Sequence, residues 1–180
     1  MYGLLQNLVV LRRLHAQWLR GRAYQPHFAW PDALAAWLGG LVAITALGLI
    51  SNWSHYPLVV APFGASTVLM FGHPASPLSQ PRNIVAGNTL GALISVLCVA
   101  EWGLAVWVMG LAVGLTIALG QLLRCLHPPA GAVALLGVLL AAKPGFVVVP
   151  ILMGSLLLVG MATLFSRLRR SAEPYPHHWL

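Results

Sequence analysis

A nearly unbroken apolar run from Gly103 to Phe165 is interrupted by Arg124-Cys125-Leu126-His127-Pro128-Pro129-Ala130-Gly131-Ala132. These are the residues with the most chemistry to offer. Two consecutive prolines remove two backbone donors and bias the residues before them away from helical geometry, so the backbone unwinds here and a helix starts at or near Pro129. A second stretch, Pro62-Phe63-Gly64-Ala65-Ser66-Thr67, has the same Pro-x-Gly-Ala order. A helix start carries unpaired N–H groups and the positive end of the helix dipole, which together suit a small anion. Gly64, Ala65, Gly131 and Ala132 would let a ligand approach that backbone closely, while Ser66 and Thr67 add hydroxyl donors. His127 can donate to an anion or carry a proton in coupled transport; it can equally cap the preceding helix or bond a carbonyl at the break.

The elements that position these residues must lie in a membrane. Of 180 residues, 59% are hydrophobic and 7% charged, with a mean hydropathy of +0.82. Soluble domains carry roughly 25% charged residues, so this chain cannot cover itself in water. Three carboxylates in the whole chain leave almost no room for acid–base pairs or carboxylate metal sites, and no enzyme is expected. Cys98 and Cys125 read as small buried residues, and Cys125-x-His127 is too sparse for a metal or haem site. No metal and no cofactor are expected. The net charge of +7 reads as a topology signal and an attraction to anionic lipid headgroups, not as a nucleic-acid footprint.

In chain order, residues 1–25 mix leucines with arginines and read as a basic amphipathic helix on the cytoplasmic membrane face; no cleavable signal peptide is evident. A transmembrane region follows over residues 30–167. Its expected spans are Asp32–Ser51, Asn83–Ala100, Gly103–Leu123 and Phe146–Phe165, with the short apolar pieces Leu58–Gly72 and Ala130–Ala142 between them. Residues 168–180 form a cytoplasmic tail, weakly ordered at most. Arginines before the first span and after the last place both termini in the cytoplasm of a cell (inner) membrane. The rows Gly87-x-x-x-Gly91 and Gly110-x-x-x-Gly114 permit close helix packing, internal or between subunits, and a homo-oligomer is open.

Shifting the chain by 67 residues aligns Pro62–Leu90 with Pro129–Leu157 at nine identities in 29 positions, where roughly three would be expected from this composition. The chain is therefore expected to fold as an all-α polytopic membrane helix bundle of two repeats, about 32–101 and 102–167. Each repeat holds a long helix, an interrupted short helix and a long helix. If the short segments cross, six crossings place Arg82 and Arg124 inside and Glu101 outside, with Lys143 the dissenter. If they re-enter, there are four crossings. Six is preferred, and three crossings per repeat would make the repeats inverted, a transporter design with its site near the midplane. Arg82 and Arg124 would form a basic cytoplasmic mouth of that site or serve as topology anchors, and Asn83 and Asn88, at and near a helix start, would cap the helix or line a path.

The stretches Ala61-Pro62-Phe63-Gly64-Ala65-Ser66, Ser76-Pro77-Leu78-Ser79-Gln80-Pro81-Arg82-Asn83 and Leu126-His127-Pro128-Pro129-Ala130-Gly131-Ala132 resemble the HPP family of integral membrane proteins, in the right order and across the membrane core. The resemblance implies a small multi-helix membrane protein, with some plant and cyanobacterial members assigned to nitrite transport. Some relatives carry a C-terminal CBS region; the sequence after the last span is too short to hold one, and nucleotide regulation within this chain is not expected. The expected function is transport of a small monovalent anion, nitrite first. The expected site is Pro62–Thr67 with His127–Ala132. A non-transporting membrane subunit of a larger complex, or a permease for another solute, are the alternatives.

Overall fold

A computed structural model describes residues 11–17, 21, 27–55, 57–169 and 174–179. Residues 1–33 and 34–180 form two compact units. Of the basic N-terminal segment, residues 11–17 are helical and exposed; the remainder of the expected 1–25 helix, residue 21 apart, lies outside the described residues.

The described chain is all helical. Helix α1 is Trp30–Ser54, α2 Ala61–Gly72, α3 Pro81–Trp102, α4 Val106–Leu122, α5 Pro128–Leu139 and α6 Met153–Arg169. A 3₁₀ turn, Pro77–Ser79, precedes α3, and a wound-out segment, Val147–Leu152, precedes α6. Three stretches are long and apolar enough to cross a membrane: Trp30–Ser54, Pro81–Trp102 and Val147–Arg169. The protein is a multi-pass membrane helix bundle.

Local sequence explains the element ends. Prolines stand in the first turns of α2, α3 and α5, where a missing N–H is harmless and a fixed φ favours the helix. Each of these helices follows a residue with extended geometry: Val60, Gln80 and His127. Gly103, at φ +69, closes α3 in a conformation that a side chain would resist. After α4 the chain turns through Arg124 at φ +54, with Cys125 N–H donating to the Gly120 carbonyl. The helix after the break begins at Pro128, one residue before the expected Pro129.

The expected span Gly103–Leu123 shortens to the 17-residue α4, and the last expected span is broken. Phe146–Phe165 is not a single helix, because Val149 is extended (φ −128, ψ 120) ahead of Pro150. The rule that unwinds the backbone before a proline acts here as it does at His127.

Helix α3 is the axis of the bundle. Ten of its residues are buried, and it packs on α4, α5, α6 and the 147–152 segment. In α1, by contrast, only Gly39, Ala43 and Leu47 are fully buried, with Ile44 and Ile50 half-buried against the core beside them. Because lipid is as apolar as leucine, close packing and hydrogen bonds hold such helices together. Small residues supply the contacts: Gly91 against the Ala130 carbonyl and Ala134 of α5, Gly137 against Ser95, and Gly39 against Phe71 and Phe165. The last two rings meet edge-on at 5.5 Å.

Candidate functional site

His127 stands at the N-cap of α5 and is 2% exposed. Its Nδ1 lies 2.9 Å from the Leu78 carbonyl oxygen, which can only accept, so Nδ1 carries the proton. Its Nε2 lies 2.8 Å from the Ser66 hydroxyl, which donates to it. The assignment follows from this network. One ring therefore ties together α5, α2 and the turn before α3, and both its nitrogens are occupied. Gly87 of α3 makes the room: a Cβ there would stand 2.8 Å from His127 Cβ and 2.7 Å from the Cys125 carbonyl oxygen.

The turn that holds Leu78 is itself a buried polar knot. The Ser79 hydroxyl faces the carbonyls of His73, Pro74 and Ser76, the closest at 2.7 Å, and Gln80 Nε2 donates to Pro74 and Ser76. Ser79 and Gln80 are fully buried. The C-terminal segment locks onto the same knot. Tyr175 OH donates to the Ser79 carbonyl at 2.9 Å, Tyr175 N–H to Ser166 Oγ at 2.7 Å, and His177 N–H to Gln80 Oε1 at 3.0 Å. Burial pushes the Tyr175 phenol well above its usual value, so it stays protonated and able to donate. The tail is thus not weakly ordered over residues 174–179. Capacity for these bonds was present in the sequence as Tyr175, Ser79 and Gln80, but nothing in their spacing announced that they meet.

A second polar contact lies deeper. Asn88 Nδ2 donates to Ser155 Oγ at 3.2 Å, and both residues are fully buried. They are 67 residues apart, the same shift that aligns the two halves of the sequence. Their neighbours repeat the relation. Gly87 lies against the Cys125 carbonyl, and Gly154 against the Leu58 carbonyl and the Phe63 ring. Gly154 is Gly87 shifted by 67, and Cys125 is Leu58 shifted by 67. Each long helix thus packs on the lead-in to the other half's short helix.

The expected site residues divide into two groups. Pro62, Phe63, Ser66, Thr67, His127, Pro129 and Ala130 are buried, and the Ser66–His127 bond brings the two stretches together. Gly64, Ala65, Arg82, Arg124, Pro128 and Ala132 are exposed, with Gly131 and Asn83 between. Arg82 and Asn83 act as ties: Arg82 donates to the Leu123 carbonyl at 3.0 Å and Asn83 to Leu126 at 2.7 Å, pinning the first turn of α3 to the chain ahead of His127. Arg82 thereby comes beside the chain at Arg124. The helix-start donors fall short of expectation. In α5, Pro128 and Pro129 have no N–H and Ala130 N–H bonds the His127 carbonyl, so no first-turn donor is left. In α2, Pro62 has none and Phe63 N–H bonds Val60, which leaves Ala61. Asn88 and Ser155 are the central polar residues that the sequence-derived site omitted; their polar-on-polar match at the repeat shift was the signal available.

Comparison with known proteins agrees with this membrane architecture. Two transmembrane proteins of Dictyostelium discoideum are 36% and 35% identical to the chain, over 79% and 80% of its length and 54% and 50% of theirs. The chain spans about half the length of the curated relatives it matches. No solved structure matches it. The family description "HPP, transmembrane region" matches residues 25–176, taking in α1 to α6 and the His-Pro-Pro break that starts α5. With that match across its membrane core, the chain belongs to the HPP transmembrane family.

Proposed function

We propose that this protein is a permease for a small monovalent anion, nitrite first, and that it carries its solute without chemical change. The observation that carries the reading is the exchange of contacts between halves: Gly87 on the 125–127 lead-in, Gly154 on the Leu58 lead-in, and Asn88 on Ser155 between them. Equivalent residues that swap partners and then meet are the mark of a two-fold axis. Each non-helical lead-in, residues 57–60 and 125–127, would add at most about 10–13 Å and each twelve-residue helix about 18 Å, together close to the hydrocarbon thickness. That supports six crossings, inverted repeats and cytoplasmic termini, with Arg82 and Arg124 on the inner face.

Among the described residues no Asp, Glu, Lys or Arg is buried. A weakly hydrated, singly charged solute suits such a path, because fixed dipoles can hold it and still release it. His127, with both nitrogens engaged, positions α2 against α5. The rival is a non-transporting subunit of a larger complex, and the spent donors at the start of α5 favour it. Uptake of sodium nitrite into proteoliposomes containing this protein alone separates the two. A saturable uptake above that of empty vesicles supports the permease, and its absence overturns it.

A further inference from the structure

Among the described residues, two buried side-chain polar atoms lack a hydrogen-bond partner, Asn88 Oδ1 and Thr89 Oγ1. They belong to consecutive residues of α3. Thr67, Thr116 and Thr163 each donate to the carbonyl four residues back, at 2.7–2.8 Å, whereas Thr89 does not. Asn88 is fully buried, and its amide makes a single bond, to Ser155. Turning the amide about χ2 leaves the count unchanged: Ser155 would then donate to Oδ1, and Nδ2 would be the unpartnered group. A buried polar atom without a partner is destabilising in proportion to its lost hydration, and two in one turn need a reason.

Their position supplies one. Asn88 is the eighth of the 22 residues in α3, and Ser155 the ninth of the 23 in Val147–Arg169, so both lie within about one turn of the middle of their spans. Both also sit where the two halves exchange contacts. We infer that the Asn88–Ser155 pair is a mid-membrane binding point for the permeating anion. On binding, the Asn88 amide turns from its orientation in the structure to present its N–H donors, Ser155 Oγ–H holds the turned amide through Oδ1, and the bound species is a monovalent oxyanion small enough for uncharged donors to suffice. This inference rests on the permease reading and locates its solute contact away from the start of α5, where no first-turn donor is left.

The test uses the full chain, purified in detergent and in proteoliposomes. Asn88→Leu with Ser155→Ala replaces both partners by apolar groups, a change the fold tolerates well. Asn88→Ser, smaller and still polar, is the second variant. The expected result is a KM for sodium nitrite raised about tenfold or more in both, the loss of a hydrogen bond to a charged group. The melting rise that sodium nitrite gives the wild type over sodium gluconate should also disappear. Wild-type uptake with unchanged KM in either folded variant overturns the binding point and leaves the permease standing. No wild-type uptake, but a nitrite-dependent melting rise that the variants lose, retains the binding point and overturns transport. Neither uptake nor a melting rise overturns both.

Discussion

Replacing His127 probes the link between the break and its neighbours. His127→Ala removes two hydrogen bonds, at 2.8 and 2.9 Å, and strands the fully buried Ser66 hydroxyl and the half-buried Leu78 carbonyl. Each lost neutral bond is worth about 1 kcal/mol, and each stranded group a further 1–3, although Ser66 can still turn to Pro62, 3.4 Å away. The total is about 3–5 kcal/mol of stability. His127→Asn is the discriminating variant. Its Nδ2 falls where histidine Nδ1 stands and keeps the Leu78 bond, while the Ser66 contact is lost. His127→Gln reaches toward Ser66 and gives up Leu78, the link to the Ser79–Gln80 knot. Melting of the purified protein in detergent should therefore rank wild type first, then Asn, then Gln, then Ala. Nitrite uptake by the Asn variant should keep the pH profile of the wild type, because a ring with both nitrogens held by fixed partners relays no proton. An Ala variant as stable as the wild type, or an Asn variant that folds normally but loses its pH dependence, would refute this reasoning.

Close packing at glycine yields a sharper contrast. Gly87→Ala and Gly91→Ala drive a Cβ into the backbone of the 125–134 region and should destabilise by about 1–3 kcal/mol in the same melts, whereas Gly64→Ala and Gly110→Ala meet nothing within 4 Å and should leave melting unchanged or slightly higher. Tyr175→Phe should cost about 1 kcal/mol through the lost bond to Ser79. The sign of its pH effect follows from the raised pKa. The fold favours the neutral phenol, so the wild type keeps this contribution below the unfolded value of about 10 and loses it as pH rises above that. Melting curves between neutral and alkaline pH should show an alkaline loss in the wild type that the Phe variant lacks.

Composition and local rules account for most of the architecture. Apolar runs long enough to span, proline at helix starts and glycine at Gly103 act over a few residues, so the membrane class, the helices and both interrupted segments were legible. The break at Val149–Pro150 obeys the same rule as the one at His127–Pro128, but a single proline among apolar residues stands out far less in the sequence than two prolines beside a histidine. The 67-residue match also came from sequence alone, and it pointed to Pro62 and Pro129 as equivalent.

What the sequence could not determine is which polar groups spend their bonding capacity on each other. His127 was open to a ligand, a proton or a carbonyl, and only the approach of Leu78 and Ser66 occupied both nitrogens. Tyr175 and Ser79 are 96 residues apart and meet only because the bundle brings the chain after α6 back beneath α3. Asn88, a cap or path-lining candidate by sequence, lies 67 residues from Ser155, and the two became a buried pair only once α3 and α6 packed. The physical reason is one of range. Helix starts, ends and breaks depend on sterics and hydrogen bonds within about four residues, whereas a buried polar side chain depends on whichever donor or acceptor the packed helices place within about 3 Å.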